Sequence, residues 1–313
     1  PEKSFVKWMK DSRHFYFTWI ARGYQEACLY LGDALSGSCS AVIRETTDLF
    51  FNLGAFGLLD GYGSYLFSNF ITSDRAYAFW QSERNGFAHL YRYRLTENES
   101  ICEGDLFDAS EKELIIQKLI RVDEREKQIY FMANNVPECS DPMYYQLYRI
   151  RFDGSGLTRL TPEDAVHQIS MGSQSFVDTY SRVDLPPVTV LRKMDGSLIC
   201  ELETADISEL LELGYQIPER ITLTAADGKT KLYGIFFRPD PGENGSPKNP
   251  APECMDSSWP LIDYIYGGAQ LYNVPRDFTW DNSMNREIYG GLQSFAKLGF
   301  AGLILDGRGV PGR

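Results

Sequence analysis

The chain has 313 residues, 43% hydrophobic and 24% charged, a balance that excludes a disordered tail, a collagen-like fibre and a disulfide-dense miniprotein. Forty-three acidic against 31 basic residues give a net charge of −12, which argues against nucleic acid as a partner. No apolar run reaches the length of a bilayer span and no signal peptide opens the chain; because the first residue is Pro1, the true N-terminus is expected upstream, so localisation stays open.

From the start of the chain one pattern recurs: an aromatic strand, a polar turn, a second strand with a Leu-Tyr pair, then a Gly or Asp turn. It reads FYFTWIARGYQEACLYLGDALSG at Phe15–Gly37, AYAFWQSERNGFAHLYRYRL at Ala76–Leu95 and IYFMANNVPECSDPMYYQLYRIRFDGSGLTRLT at Ile129–Thr161. A weaker copy runs from Phe176 to Leu202. The second member of each pair is Tyr30, Tyr91 and Tyr148, with Leu191 in that place in the fourth copy. Apolar and polar residues alternate as in strands with one face on a core. Asn85-Gly86, Asp153-Gly154 and Asp195-Gly196 supply the positive-φ positions of hairpin turns. A lone hairpin cannot bury its apolar face, so repeated units predict a β-propeller, with a β-sandwich as the alternative. GYGSY at Gly61–Tyr65 reads as a turn between blades.

Beyond residue 205 the pattern changes. Asp206–Gly214 predicts a short acidic amphipathic helix or a turn, and Arg220–Pro239 two strands around Asp227-Gly228. Pro239–Pro260 reads as an exposed Pro-rich loop. PLIDYIYGG predicts a strand buried on both faces, Ser283 caps a helix to about Leu298, and Phe300–Leu305 (FAGLIL) predicts a second buried strand. Strand, helix, strand means an α/β domain with a parallel sheet. Two strands and one helix cannot cover such a sheet, so the chain is expected to be an internal piece of a longer protein.

There is no G-x-S-x-G, P-loop or H-E-x-x-H. Tyr266, in Tyr264–Gly268 (YIYGG), lies where a strand ends in two glycines. Its hydroxyl is either a packing group or a donor to an oxyanion. Asp306-Gly307-Arg308-Gly309 follows the next strand, where open α/β sheets place ligands; the other reading is a turn with a structural Asp–Arg pair. Arg84, Arg182 and Arg308 are candidate carboxylate clamps. The six cysteines read as buried small hydrophobes, with a Cys28–Cys39 disulfide the alternative in an exported protein. Only His14, His89 and His167 exist and none accompanies a cysteine pair, which argues against zinc. Two sequons, at Asn98 and Asn244, read as exposed loops.

The stretches Phe79–Tyr93 (FWQSERNGFAHLYRY), Leu147–Asp164 (LYRIRFDGSGLTRLTPED), Phe176–Leu191 (FVDTYSRVDLPPVTVL), Leu232–Pro239 (LYGIFFRP), YIYGG and Leu303–Arg313 (LILDGRGVPGR) resemble, in order, the dipeptidyl peptidase IV branch of the prolyl oligopeptidase (S9) family of serine peptidases. Phe15–Thr46 and Leu49–Phe70 match more loosely. The resemblance implies that 1–205 are later blades of a β-propeller and that 206–313 open an α/β-hydrolase domain, cut before its nucleophile.

It also implies a parent enzyme that releases N-terminal Xaa-Pro or Xaa-Ala dipeptides through a Ser-Asp-His triad. Tyr266 then falls on the family's oxyanion-stabilising tyrosine. The triad would lie after Arg313 and the paired glutamates that hold the substrate's amino group before Pro1, so the isolated segment would be inactive, and no histidine here is a triad member. Ala269 stands where this branch commonly carries Pro. Peptide substrates are implied and no metal or organic cofactor; a homodimer of the parent stays open. Two other readings remain: a non-catalytic peptide-binding protein, and a related oligopeptidase or acylaminoacyl-peptidase.

Overall fold

The structure, a computed structural model, describes residues 2–3, 6–51, 68–96, 99–107, 113–239, 259–265, 273–278 and 291–309. The chain forms two units, Pro1–Pro162 and Glu163–Pro311.

The first unit holds three antiparallel sheets. The first joins β1 (Glu2–Lys3), β3 (His14–Ile20), β4 (Glu26–Asp33) and β5 (Cys39–Thr46), with β2 (Lys7–Trp8) also on β3. The second runs β6 (Asn69–Ile71), β7 (Tyr77–Ser82), β8 (His89–Leu95), β9 (Ser100–Asp105). The third runs β10 (Ile115–Asp123), β11 (Gln128–Asn134), β12 (Gln146–Arg151), β13 (Thr158–Arg159). In the second unit the same meander recurs as β14 (Val166–Met171), β15 (Ser175–Arg182), β16 (Leu185–Lys193), β17 (Leu198–Thr204).

The sequence repeat is a structural one. Tyr30, Tyr91, Tyr148 and Leu191 lie on the third main strand of their four sheets, opposite Phe17, Trp80, Phe131 and Val177. The preceding Leu29, Leu90, Leu147 and Val190 are buried. Neighbouring residues point to opposite faces of a strand, so Trp80 packs with Leu29 and Ile43 whereas Phe79 packs with Ile129, Phe131 and Ile150. One sheet thus contributes to two cores. The predicted turn glycines Gly86, Gly154 and Gly196 have positive φ.

Each of three outermost strands carries a bulge: Val42 on β5, Glu103 on β9, and Ile199 and Leu202 on β17 are skipped by the pairing register. Bulges twist an open edge away from further pairing, which blunts the aggregation hazard of exposed apolar Leu198, Ile199 and Leu202.

The change in sequence pattern near residue 205 falls inside the second unit. Helix α1 (Ser208–Glu212) forms as predicted, but none of its residues is buried, so it is not amphipathic in the sense expected. A mixed sheet follows, in the order β18 (Glu219–Thr224), β19 (Lys231–Phe237), β21 (Ala301–Leu305), β20 (Leu261–Tyr264). β20 and β21 are parallel, with helical residues 291–297 between them in sequence. The expected strand–helix–strand unit is therefore present. β20 is not buried on both faces: it is the edge of the described sheet, and Leu261 is 55% exposed. Residues 279–290, including the predicted cap Ser283, lie outside the described residues, as do Gly61–Tyr65 and most of the Pro-rich loop. No helix among the described residues is long and apolar enough to cross a membrane.

Gly234 lets β19 approach β21. A Cβ there would collide with the carbonyl oxygen of Ile304. Gly234→Ala is expected to destabilise the full-length protein by about 1–3 kcal/mol through overpacking, read as a lower urea midpoint at unchanged m-value.

Candidate active site

The parallel pair places two chain segments side by side. Tyr264 pairs with Ile304, so Ile265 leaves β20 where Asp306 leaves β21. Open α/β sheets bind ligands at this carboxyl end of parallel strands. Beneath it Ile235, Phe237, Val274, Leu292, Ala296 and Ile304 form one core, and Gly302 lets Leu292 of the 291–297 helix close on Phe237. Lys297 and Gln293 fix that helix to the carbonyls of Gly214 and Gln216.

Asp306 is 2% exposed. Its Oδ1 accepts the backbone N–H groups of Asn273 at 2.8 Å and Val274 at 3.3 Å, and its Oδ2 accepts Nη2 of Arg276 at 2.7 Å. Arg276 Nη1 donates to the Val274 carbonyl at 2.8 Å. The Asp–Arg pair expected within the Asp306–Gly309 turn does not form: Asp306 pairs with Arg276 instead. Arg308 is exposed and donates to Asp227 at 3.2 Å. Thr230 and the N–H groups of Thr230 and Lys229 keep the Asp227 carboxyl well below the usual range, so it is an ionised partner for Arg308. Arg276 was invisible as a partner in the sequence because 30 residues separate it from Asp306.

The other candidate clamps are already engaged. Arg84 donates to Glu45 at 2.5 Å and to the Tyr93 hydroxyl at 2.9 Å, and lies over the Tyr91 ring at 4.3 Å. Glu45 also accepts Trp80 Nε1 at 2.7 Å and Ser82 Oγ at 2.5 Å. Arg182 donates to Asp184 at 2.7 Å and to the Asp164 carbonyl at 3.0 Å. Arg84 thus ties its turn to Glu45 on β5, whereas Arg182 closes the β15–β16 turn.

All three histidines are held by aspartates through Nδ1: His14 by Asp11 at 2.6 Å, His89 by Asp105 at 2.6 Å and His167 by Asp178 at 2.7 Å. Glu163, His167 and Asp178 bring potential metal-ligand atoms within 4.8 Å of one another. Arg192 already supplies the positive charge there, from Nε to Asp178 at 2.9 Å and from Nη2 to Glu163 at 2.5 Å. Burial opposes the Arg192 charge, but its bonds to Asp178 and Glu163 outweigh it and raise its pKa. A guanidinium in that place leaves a divalent cation repelled, so the donor set does not fit a metal centre.

The cysteine expectations are corrected. Among the described cysteines only Cys28 is buried; Cys39, Cys102 and Cys200 are exposed and Cys139 is intermediate, and Cys28, Cys39, Cys102 and Cys200 are free thiols. The β4–β5 register sets Cys28 opposite Arg44 and Cys39 opposite Gly32. That separates the two thiols by several residues along the hairpin, beyond disulfide reach. Tyr266 and Ala269 lie outside the described residues.

The profile of the dipeptidyl peptidase IV (DPP IV) N-terminal region matches residues 4–187. The chain belongs to the DPP IV family. Its four-stranded antiparallel sheets are those of that family's propeller-like region. The chain is 24% identical over 235 residues to the probable dipeptidyl-aminopeptidase B of Aspergillus fumigatus and, over the same length, to that of Neosartorya fischeri. These matches cover 72% of this chain and 22% of each relative, so the chain spans about a fifth of the length of the curated relatives it matches. The crystal structure of a Bacteroides ovatus protein assigned as a dipeptidyl aminopeptidase IV matches with a TM-score of 0.67 at 19% identity. That likeness, over 100% of this chain and 42% of the other, establishes the fold.

Proposed function

We propose that the protein containing this chain is a serine-type dipeptidyl peptidase that releases N-terminal Xaa-Pro or Xaa-Ala dipeptides by covalent acyl transfer. In this reading 1–205 are propeller blades that shield the site and limit substrate size, and 206–313 open the hydrolase domain. A serine beyond Arg313, activated by histidine, attacks the carbonyl after the second substrate residue. Tyr266 donates its hydroxyl to the oxyanion, and water then releases the dipeptide. An acidic pair before Pro1 binds the substrate's free amine and so sets the cleavage position. These 313 residues alone hold no nucleophile elbow and are inactive.

One observation supports this most: a DPP IV family match over 4–187 is followed in the same chain by a parallel β20–β21 pair whose first strand ends at Tyr264, two residues before Tyr266 in the sequence. The test is hydrolysis of Ala-Pro-4-nitroanilide by the full-length protein, beside the same substrate N-acetylated. The free amine is expected to be required, with kcat/KM falling roughly 10–10²-fold on acetylation, the scale of lost charge-assisted hydrogen bonds. Equal turnover of both would favour an oligopeptidase or acylaminoacyl-peptidase. Binding without turnover of either would make this a peptide-binding protein.

A further inference from the structure

We infer that the β15–β16 turn is a lock: Val183, lodged in the core beneath the mixed sheet, joins β14–β17 and β18–β21 into one cooperative body. The turn has only two residues, Val183 and Asp184, because Arg182 pairs with Leu185. Hairpin turns ordinarily lie in water, and those of the first two sheets do: Arg22 and Gly23 are exposed, as are residues 83–86. Val183 is 1% exposed. What covers it belongs to other elements: Ile235 and Phe237 of β19, Ile304 of β21, Leu292 and Ala296 of the 291–297 helix, and Val274. Among the described members of that core, Val183 alone comes from β14–β17.

Polar bonds hold the turn on both sides. Asp184 Oδ1 accepts Arg182 Nε at 2.7 Å from its own hairpin, and its Oδ2 accepts Arg220 Nε of β18 at 3.0 Å. Ser181 Oγ, in a residue 4% exposed, accepts the backbone N–H of Phe278 at 3.1 Å. Phe278 in turn packs beside Tyr215, with ring centroids 6.0 Å apart. Residues 181–184 therefore engage β18, the 273–278 segment and the common core at once. The apolar contact carries most of the energy, because the ion pairs are partly exposed whereas Val183 is fully desolvated. The hydrolase domain proposed for 206–313 thus draws a core residue from the sheet before it, and its compact unit begins at Glu163. Only the name hydrolase rests on the proposed function; the lock is tested without catalysis, so the two can fail separately.

The experiment is hydrogen exchange, read by mass spectrometry, on the full-length protein and its V183A, S181A and F176L variants. V183A removes the equivalent of two buried methylenes and should speed exchange roughly tenfold. The rise should appear together in peptides from β15 and β16, from β19 and β21 and from 273–278, with β3–β12 unaltered. Phe176 is buried in β15 but is not among the described members of the common core. Through the lock, F176L should nonetheless speed exchange in β19 and β21 as well as in its own sheet. S181A, which removes only the anchor of Phe278, should give the V183A pattern at about fivefold, and it carries the test if V183A does not fold.

Faster exchange confined to β15 and β16 would make Val183 a local turn residue and overturn the lock. A uniform rise across all the sheets would overturn it too, as would an F176L effect that stops within β14–β17. Failure of V183A and S181A alike to fold would make the turn a determinant of the whole fold, which overturns a lock confined to this body.

Discussion

Asp178→Ala is expected to destabilise the full-length protein by about 3–5 kcal/mol, the scale for breaking a buried ion pair from one side. Asp178 is fully buried and binds two cationic or polar partners at once, His167 Nδ1 at 2.7 Å and Arg192 Nε at 2.9 Å. Arg192, itself 3% exposed, then keeps only Glu163 and the Gly196 carbonyl. Alanine takes one of the two carboxylates from the Arg192 guanidinium and the acceptor from His167 Nδ1, and the cavity adds its own cost. Asp178→Asn should cost less, since the amide oxygen still accepts one bond. Urea unfolding of the three proteins measures the effect. A loss under 1 kcal/mol for alanine would mean that water reaches Arg192 in solution and that the network is marginal.

Much of the fold was legible because local chemistry decides it. The Leu-Tyr pairs recur because the two residues of a pair point to opposite faces of a sheet, as Leu90 and Tyr91 do in entering different cores, and the four sheets place them in matching register. Asp227-Gly228 announced the β18–β19 hairpin, since Gly228 takes φ 70°. The parallel pair followed from two apolar runs with a helix between them. Where pattern reading failed, tertiary neighbours decided the outcome. Leu261 looks like a core residue but sits on an edge strand. Cys28 and Cys39 share a hairpin, yet its register keeps them apart. Asp306 lies two residues from Arg308 but pairs with Arg276, because the chain after β20 returns to the end of β21. The Asp178–Arg192 pair joins adjacent strands β15 and β16, and no spacing rule in the sequence singles it out.

Tyr266→Phe in the full-length protein is expected to lower kcat by roughly 10²–10³-fold, or about 2.7–4 kcal/mol of transition-state stabilisation, with KM little changed. The reasoning follows the charge. In the bound peptide the carbonyl oxygen carries only a partial charge, so a phenol hydroxyl beside it adds little to ground-state binding. In the tetrahedral intermediate that oxygen is an anion, and a donor already in place stabilises it without reorganisation. Phenylalanine keeps the ring and removes only the donor, so the loss should fall on kcat and kcat/KM alike. Its stability should match the parent protein, which separates a chemical loss from a folding one. Steady-state kinetics on Ala-Pro-4-nitroanilide at several pH values would decide the matter. A fall in kcat of similar size across the pH range fits loss of a hydrogen-bond donor. A change in the apparent pKa of the profile would instead make Tyr266 a proton-transfer group, and an unchanged kcat would return it to the packing role that its sequence position alone also allows.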